Sequence, residues 1–489
     1  MKHAIFLLSF LLLGPALLCG IDLSQRKAAF AHYTAWHVPE NASHVVGRYY
    51  NYPLHHASGS AEEDHKAEIR QAIAQGIDGF FVDVVFHEGQ PAHYVDNIAS
   101  LLKAAEGTEF TVGPCLDRKT SIDHQVSELK TLLDNCANHP NFPHWGNRPV
   151  LVTYTCLQWT PDEWREIRRR LKEAGYDIFL VGNFRFNFDQ IDFEKLKTYR
   201  GVFDMAYSFA EAGLNGVPSG KSVAELRDFS EENGMKWMAP MWPGYYGGWM
   251  ARNDFYQPFF GFDQLHDNFL AVDPARDRWM HFTTWNDHDE SSLLPMAFTW
   301  GNAAITRAYT DAFKGVKPVG KEPSVLFAYH REALPGTLLR IEALTLPVAL
   351  DGKAAVSGKL LDSAGKPVFD LPEKQLSLGA FDRAEWFIPT AGLAASPLLI
   401  PEFTVKTAQG TETRELPAIV FSSSWLQNAV TVKVPFRDML NFPNTFDVSQ
   451  EGNLLSAKIT FDAPDALEEA VLWCNDRPIA AFRPEESGK

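Results

Sequence analysis

His281-Phe282-Thr283-Thr284-Trp285-Asn286-Asp287-His288-Asp289-Glu290-Ser291 joins an apolar, β-prone run beginning at Trp279 to a bunch of polar and acidic side chains. A buried strand that ends this way delivers carboxylates to one fixed place at the mouth of a fold. Two such carboxyls suit glycosidic-bond cleavage, where one protonates the leaving oxygen and the other serves as base or nucleophile. Asp287 and Glu290 are therefore the candidate catalytic pair. The alternative readings are a solvated acidic turn and a calcium loop, the latter lacking the glycine that an EF-hand loop requires.

Working outward, seven further runs of the same kind precede this one, giving eight predicted strands: Ala29–Trp36, Asp78–Val85, Phe110–Cys115, Val150–Tyr154, Ile178–Val181, Phe203–Phe209, Lys236–Trp242 and Trp279–Trp285. Amphipathic stretches lie between them. Ala61–Gln75 carries mixed charges around Ile69, Ala72 and Ile73, and Pro161–Ala174 opens on Thr160-Pro161-Asp162-Glu163, a helix start with acids in its first turn. Strand–helix alternation implies a parallel sheet, and eight units in roughly 300 residues fit a closed (β/α)8 barrel of the TIM type. An open doubly wound sheet is the rival, but no glycine-rich phosphate loop follows an early strand.

Beyond about Gly336 the texture changes. Period-two runs (Thr337–Leu344, Ala354–Leu361, Leu398–Lys406, Ile419–Ser423, Val430–Val434) alternate with turn signals, the pattern of an antiparallel, immunoglobulin-like β-sandwich. The expected division is a targeting segment over 1–20, a barrel over 21–335 and an accessory sandwich over 336–489. Residues 436–489 either complete the sandwich or begin a further β unit.

Of 489 residues, 45% are hydrophobic and 22% charged, a globular composition with ample core. A net charge of −16 argues against nucleic acid or an anionic membrane surface as partner. Lys2, the apolar run Ala4–Leu13 and Gly14-Pro15 read as an export signal too short to span a membrane, with no longer apolar stretch downstream. The expected location is extracellular or periplasmic, with a lipid anchor at Cys19 as an option that Leu18 disfavours. A monomer is expected. Cys115, Cys136, Cys156 and Cys474 fit bridges or buried thiols equally, and their spacing offers no zinc site; no metal or cofactor is expected. Asn41-Ala42-Ser43 fits a glycosylation sequon.

In a barrel the functional groups sit where strands end. The predicted ends supply His32 and Tyr33, Asp83, Asp117, Tyr154, Asn183, Tyr207, Trp242 with Tyr245 and Trp249, and finally Trp285 and Asn286 beside Asp287 and Glu290. Acids and aromatic faces around one rim suit a polysaccharide cleft. Asp83 lies within Phe80-Phe81-Val82-Asp83-Val84-Val85, where a charge needs a partner, so it is equally a candidate for a salt bridge inside the barrel.

Thr284-Trp285-Asn286-Asp287-His288-Asp289-Glu290-Ser291 resembles the Thr-Trp-Asn-Asp-Tyr-Gly-Glu-Ser signature of glycoside hydrolase family 71, the α-1,3-glucanases or mutanases. Ala74–Phe81 and Met238–Trp242 resemble the family's second strand and its Met-Met-Pro strand, so the likeness runs over residues 28–335. It implies a (β/α)8 barrel with an accessory β-domain, endo-hydrolysis of α-1,3-glucan with inversion, and a catalytic pair at Asp287 and Glu290. His288 for Tyr and Asp289 for Gly are departures that mark a distant member. By analogy with the related endo-α-mannosidase-like barrels of family 99, Glu290 is the general acid and Asp287 the base. The alternatives are hydrolysis of other α-glycans and a non-catalytic surface glycan-binding protein.

Overall fold

In the computed structural model the described residues are 20–35, 60–88, 95–185, 191–210, 219–246, 256–257, 262–287, 294, 301–330, 332–393, 396, 398–421, 429–434, 445–451, 454–460, 470–474 and 477–482. Residues 1–19 of the expected export segment, Cys19 among them, lie outside these, as does the sequon at Asn41.

Eight parallel strands close on themselves: β1 (Ala28–Tyr33), β2 (Gly79–Val84), β3 (Thr111–Leu116), β4 (Arg148–Thr153), β5 (Phe179–Asn183), β6 (Met205–Tyr207), β7 (Lys236–Met241) and β8 (Trp279–Phe282). Each pairs with its neighbour in chain order, and β8 returns to β1 through Trp279↔Ala28 and His281↔Phe30. A helix follows every strand: α1 (Ala61–Ala74), α2 (Val95–Ala104), α3 (Ile122–Cys136), α4 (Pro161–Glu173), α5 (Phe193–Lys197), α6 (Ser219–Glu232), α7 (Asp263–Ala271) and α8 (Gly301–Lys314). This is the TIM-type barrel the alternation predicts.

Local chemistry sets the ends of these elements. Thr160 and Glu163 form a reciprocal capping box at the start of α4, satisfying two backbone N–H groups that the helix leaves free. Asp78, expected within the second strand, lies just before it: its carboxylate accepts the Ala29 N–H at 2.7 Å and pairs with Lys314 at 2.6 Å, tying α8 to the foot of β1. A side chain at Gly113 would run into the Pro143 ring, 2.6 Å from where its Cβ would stand, so glycine lets the Pro143–Trp145 strand pass beneath the barrel.

Alternation along the strands sorts the core into two shells. Phe30, Phe81, Val150, Phe179, Met205 and Trp279 fill the barrel, and Trp145 stacks on Phe179 at 4.6 Å to plug its lower end. Ala29, Ala31, Phe80 and Val82 point outward and pack on helix residues such as Ile69, Leu101, Leu132 and Trp164. Cys115, Cys136 and Cys156 are buried free thiols; the Cys474 side chain lies outside the description.

The second half forms two facing, mainly antiparallel sheets. One holds Val325–His330, Leu338–Thr345, Arg383–Pro389 and Ala429–Val434; the other is built on Lys353–Leu361, Pro367–Ser377 and Leu398–Thr407. Phe327 meets Phe403 at 4.2 Å between them. Val325–His330, placed in the barrel half from sequence, pairs instead with Leu338–Thr345, so the sandwich begins earlier than residue 336. A short apolar run reads alike in either setting, which is why the pattern misplaced it. Residues 445–482 add two hairpins, Thr445–Glu451 with Leu454–Thr460 and Ala470–Cys474 with Arg477–Phe482.

The sandwich braces the barrel. Leu326, Ala328, Leu344 and Leu346 join the barrel's outer core, Phe269 stacks on Tyr309 at 4.1 Å beneath Phe381, and buried Glu342 accepts the Phe262 N–H at 2.8 Å. No described helix is long and apolar enough to cross a membrane.

One ion pair is nearly solvent-free: Arg227 on α6 grips Asp277 through two bonds of 2.6 and 2.9 Å, with side chains 6% and 0% exposed. Removing one partner strands a buried charge. Asp277→Ala is expected to cost ~3–5 kcal/mol in denaturant unfolding; a loss below ~1 kcal/mol would show that the Arg227 charge finds another outlet.

Candidate active site

The upper end of the barrel is polar where the lower end is apolar. Alternation carries β1 from Phe30 to His32, β2 from Phe81 to Asp83 and β8 from Trp279 to His281, so these three side chains turn inward above the aromatic plug. His32 Nε2 meets Asp83 Oδ1 at 2.9 Å with both side chains 4% exposed. Asp83 thus has the partner a buried carboxylate requires, as the salt-bridge reading expects, and it lies at the floor of the mouth. Phe209 stands edge-on to the His32 ring at 4.7 Å, and Tyr154 stands edge-on to Phe209 at 4.5 Å.

Charge converges here. Burial works against a charged His32, but the Asp83 carboxylate in contact, with Asp117 and Asp287 beyond it, holds the imidazole above its ordinary value. Burial, then the negative charge of Asp83, pushes Asp117 up to about 7 against the pull of His32 and Arg118; Asp287 adds to the rise. Three carboxyls and one imidazole therefore sense one another across the mouth. Below them His281 is driven well under its ordinary value by burial and then by His32, so it stays neutral.

The loop that carries Asp287 is pinned to β1. Trp285 N–H donates to His32 O at 2.7 Å, and the Asn286 amide both accepts from Thr34 N–H at 2.7 Å and donates to Thr34 O at 3.2 Å. Thr284 Oγ1 accepts the Asp287 N–H at 2.9 Å. The peptide between Thr283 and Thr284 is cis. The strand expected to reach Trp285 stops at Phe282, and the residues after it make these cross-links instead.

Asp117, Tyr154 and Asp287 are partly exposed at this mouth, and His32 and Asp83 form its floor. The other expected rim residues are placed differently. Tyr33 follows His32 and so faces the other way, fully buried against α1, with its hydroxyl on Glu68 at 2.9 Å. Trp285 is fully buried in the outer shell, 5.2 Å from Phe80. Asn286 is a buried loop pin, and Asn183 is spent on backbone bonds to Tyr154, Arg185 and Phe209. Tyr207 lies inside the barrel beneath the mouth, and Trp242 is 2% exposed. Tyr245 belongs to a short hairpin, Tyr245–Tyr246 with Tyr256–Gln257, whose side chains are not described. Trp249 and Glu290 lie outside the described residues.

Sequence reasoning missed Phe209 and His281 as site neighbours. Both follow from period two, since Phe209 stands two after Tyr207 and His281 two after Trp279. His32, Asp83 and Cys115 bring one ligand atom each within 4.8 Å of one another, the one such group among the described residues. Burial and the flanking carboxylates hold the Cys115 thiol far above its ordinary value, which makes the thiolate a metal would need costly.

Two solved structures of the family 99 endo-α-mannosidase from Bacteroides thetaiotaomicron, one of them in complex with bis-tris propane, are similar in fold. They are 14% and 15% identical, cover 59% and 61% of this chain and 98% and 100% of their own, and give TM-scores of 0.51 and 0.50. No curated protein sequence matches the chain. The model of glycosyl hydrolase family 71 matches residues 45–304, more than half of the chain. A barrel whose last strand leads to Asp287, with His32, Asp83 and Asp117 around the same mouth, thus matches the family's model over residues 45–304, and the chain belongs to glycosyl hydrolase family 71.

Proposed function

We propose that the chain is an exported endo-hydrolase of α-linked polysaccharide, with 1,3-α-glucan as substrate and Asp287 and Glu290 as its acid–base pair. The observation that carries this reading is the placement of Asp287 at the top of β8, partly open and within electrostatic reach of His32 and Asp117. In an inverting reaction one carboxylate takes a proton from water as the other carboxyl protonates the leaving oxygen. Asp287 is the base in this scheme. Its backbone is held by Thr284 and its neighbour Asn286 by Thr34, so its approach to the sugar is fixed before substrate arrives. The proton comes from Glu290, three residues on.

The remaining groups suit sugar recognition. His32, paired with Asp83, presents a fixed polar floor to hydroxyl groups. Tyr154 and Phe209 supply aromatic surface for the apolar face of a ring. Asp117 titrates near neutrality and serves as donor when protonated and acceptor when ionised. The barrel, through α8 at Lys314, is the catalytic unit in this reading, and the sandwich holds α7 and α8 in place. Export rests on Lys2 and the apolar run Ala4–Leu13; the mature secreted protein is expected to begin near residue 20, which N-terminal sequencing reads directly.

Reducing-sugar release from a panel of α-glucans and α-mannans tests the activity. Wild type should cleave 1,3-α-glucan, and Asp287→Asn and Glu290→Gln should each lower kcat by ~10²–10⁴. Cleavage of mannan alone would move the substrate, and binding without turnover by wild type would make the barrel a recognition module. Full activity in both variants would mean that other acids do the chemistry.

The electrostatics make a separate prediction. Asp117 has a folded-state pKa raised to about 7, so the stability it contributes is present below the ordinary carboxylate range and is lost as pH climbs towards 7. A carboxamide in its place would stay neutral throughout. Asp117→Asn should therefore gain stability relative to wild type between about pH 4 and pH 8, at ~1.4 kcal/mol for each tenfold displacement in proton affinity. Parallel melting curves across that range would place Asp117 in ordinary solvent.

A further inference from the structure

The inward alternation of the strands continues above the aromatic plug. Val152, Val181, Tyr207 and His281 lie inside the barrel, and two residues beyond them come Tyr154, Asn183, Phe209 and Thr283. Four strands thus each place one side chain in the next layer up. Tyr154 and Phe209 are the aromatic pair of the mouth. Asn183 and Thr283 are 0% and 1% exposed, and polar groups buried so deeply need bonding partners.

Those partners are found at Phe209. Strand β6 is only three residues long, and its ladder ends at Tyr207, opposite Asn183 and Met238. Phe209 stands two residues past that point, so its backbone N–H and C=O need other partners. Two buried side chains supply them. Asn183 Oδ1 accepts the Phe209 N–H at 3.1 Å, while its Nδ2 donates to Tyr154 O at 3.1 Å. Thr283 Oγ1 donates to Phe209 O. This last bond reaches from the end of β8 over β7 to the chain beyond β6, and the Thr283 N–H donates to Met241 O of β7 at 2.9 Å. We propose that Thr283 and Asn183 are positioning residues of the sugar site, fixing the Phe209–Tyr154 platform over His32 and relative to Asp287 by holding the Phe209 backbone at both its polar groups. This deepens the proposed hydrolysis and rests on it for the substrate.

The held backbone sets where the ring stands. Phe209 meets His32 edge-on at 4.7 Å and Tyr154 at 4.5 Å, so a shift of its main chain moves the aromatic surface off the polar floor. A line of bonds runs from that surface to the acid: Asn183 to Phe209, Phe209 to Thr283, and then Thr284, whose hydroxyl holds the Asp287 N–H. Asp287 also has an anchor through its neighbour Asn286, bonded to Thr34. Loss of the Thr283 hydroxyl therefore frees the platform and leaves the acid in place. The penalty falls on sugar binding more than on the chemical step, which kinetics reads as a rise in KM larger than the fall in kcat. Asn183 touches both platform segments, so its loss is felt at Tyr154 as well.

Thr283→Val keeps the branched shape and removes the donor; Thr283→Ser keeps the donor. On the glycan that wild type cleaves, Thr283→Val should raise KM by ~3- to 10-fold, the scale of one aromatic contact, with a smaller change in kcat. Thr283→Ser should recover most of that loss, and Asn183→Ala should raise KM at least as much as Thr283→Val. If Asn183→Ala does not fold, the Thr283 pair decides. Because the hydroxyl acts through Phe209, the KM penalty of Thr283→Val should shrink when Phe209→Ala is already present. An unchanged KM in Thr283→Val, a Thr283→Ser as poor as Thr283→Val, or the same penalty without the Phe209 ring overturns the proposal. A crystal structure of Thr283→Val without sugar separates it from the hydrolase reading: the Phe209 ring should leave its edge-on place on His32 while the eight strands superpose. A ring that stays put overturns the brace even if hydrolysis is found. A displaced ring in a protein that cleaves no glycan would sink the hydrolase and leave the brace standing.

Discussion

Everything at the mouth of this barrel depends on how β8 returns to β1. Eight parallel strands can close only if the last finds the first in register, and here Trp279 to Phe282 lie against Ala28 to Ala31. The closure continues beyond the strands: Trp285 bonds to His32, and Asn286 bonds to Thr34 through both ends of its amide. Residues some 250 apart in sequence are thereby set side by side. His32 comes from one edge of this seam and Asp287 from the other, so the site exists only because the barrel is closed and held there.

The barrel interior supplies the contrast that makes such a site work. Below, Trp145, Phe179, Trp279, Phe30 and Phe81 form an aromatic plug that excludes water. Above it, the alternation that turned those rings inward turns in His32, Asp83 and His281. Low polarity beneath and like charges around it raise Asp117 towards neutrality, while His32 keeps Asp83 paired. One periodicity thus gives both the stability of the barrel and the electrostatics of its mouth. The sandwich acts from outside, where Glu342 and Phe381 hold the segments flanking α7 and α8.

Much of this is legible in the residues. All eight strands lie where apolar runs predict them, and the acids after Trp285 single out the last as the strand that leads to the candidate site. The errors have physical causes. His32 and Tyr33 both read as rim residues, yet adjacent strand residues face opposite sides, and Phe30 in the interior assigns His32 to the mouth and Tyr33 to the helices. Trp285 would face inward if β8 continued in phase, but the strand ends at Phe282 and the chain turns its indole outward against Phe80. Asn183 and Asn286 look like ligand-binding amides in sequence, and only their backbone partners show them to be braces. Glu68 is hidden for the opposite reason, because a charged residue in an amphipathic helix reads as solvent-facing until the Tyr33 hydroxyl is seen bonded to it.

The most direct test is a crystal structure of Asp287→Asn soaked with a 1,3-α-gluco-oligosaccharide. The account predicts sugar across the barrel mouth, a glycosidic oxygen beside the segment carrying residues 287 and 290, and hydroxyls on His32, Asp83 or Asp117. Sugar bound only on the sandwich, with the mouth empty, would contradict it.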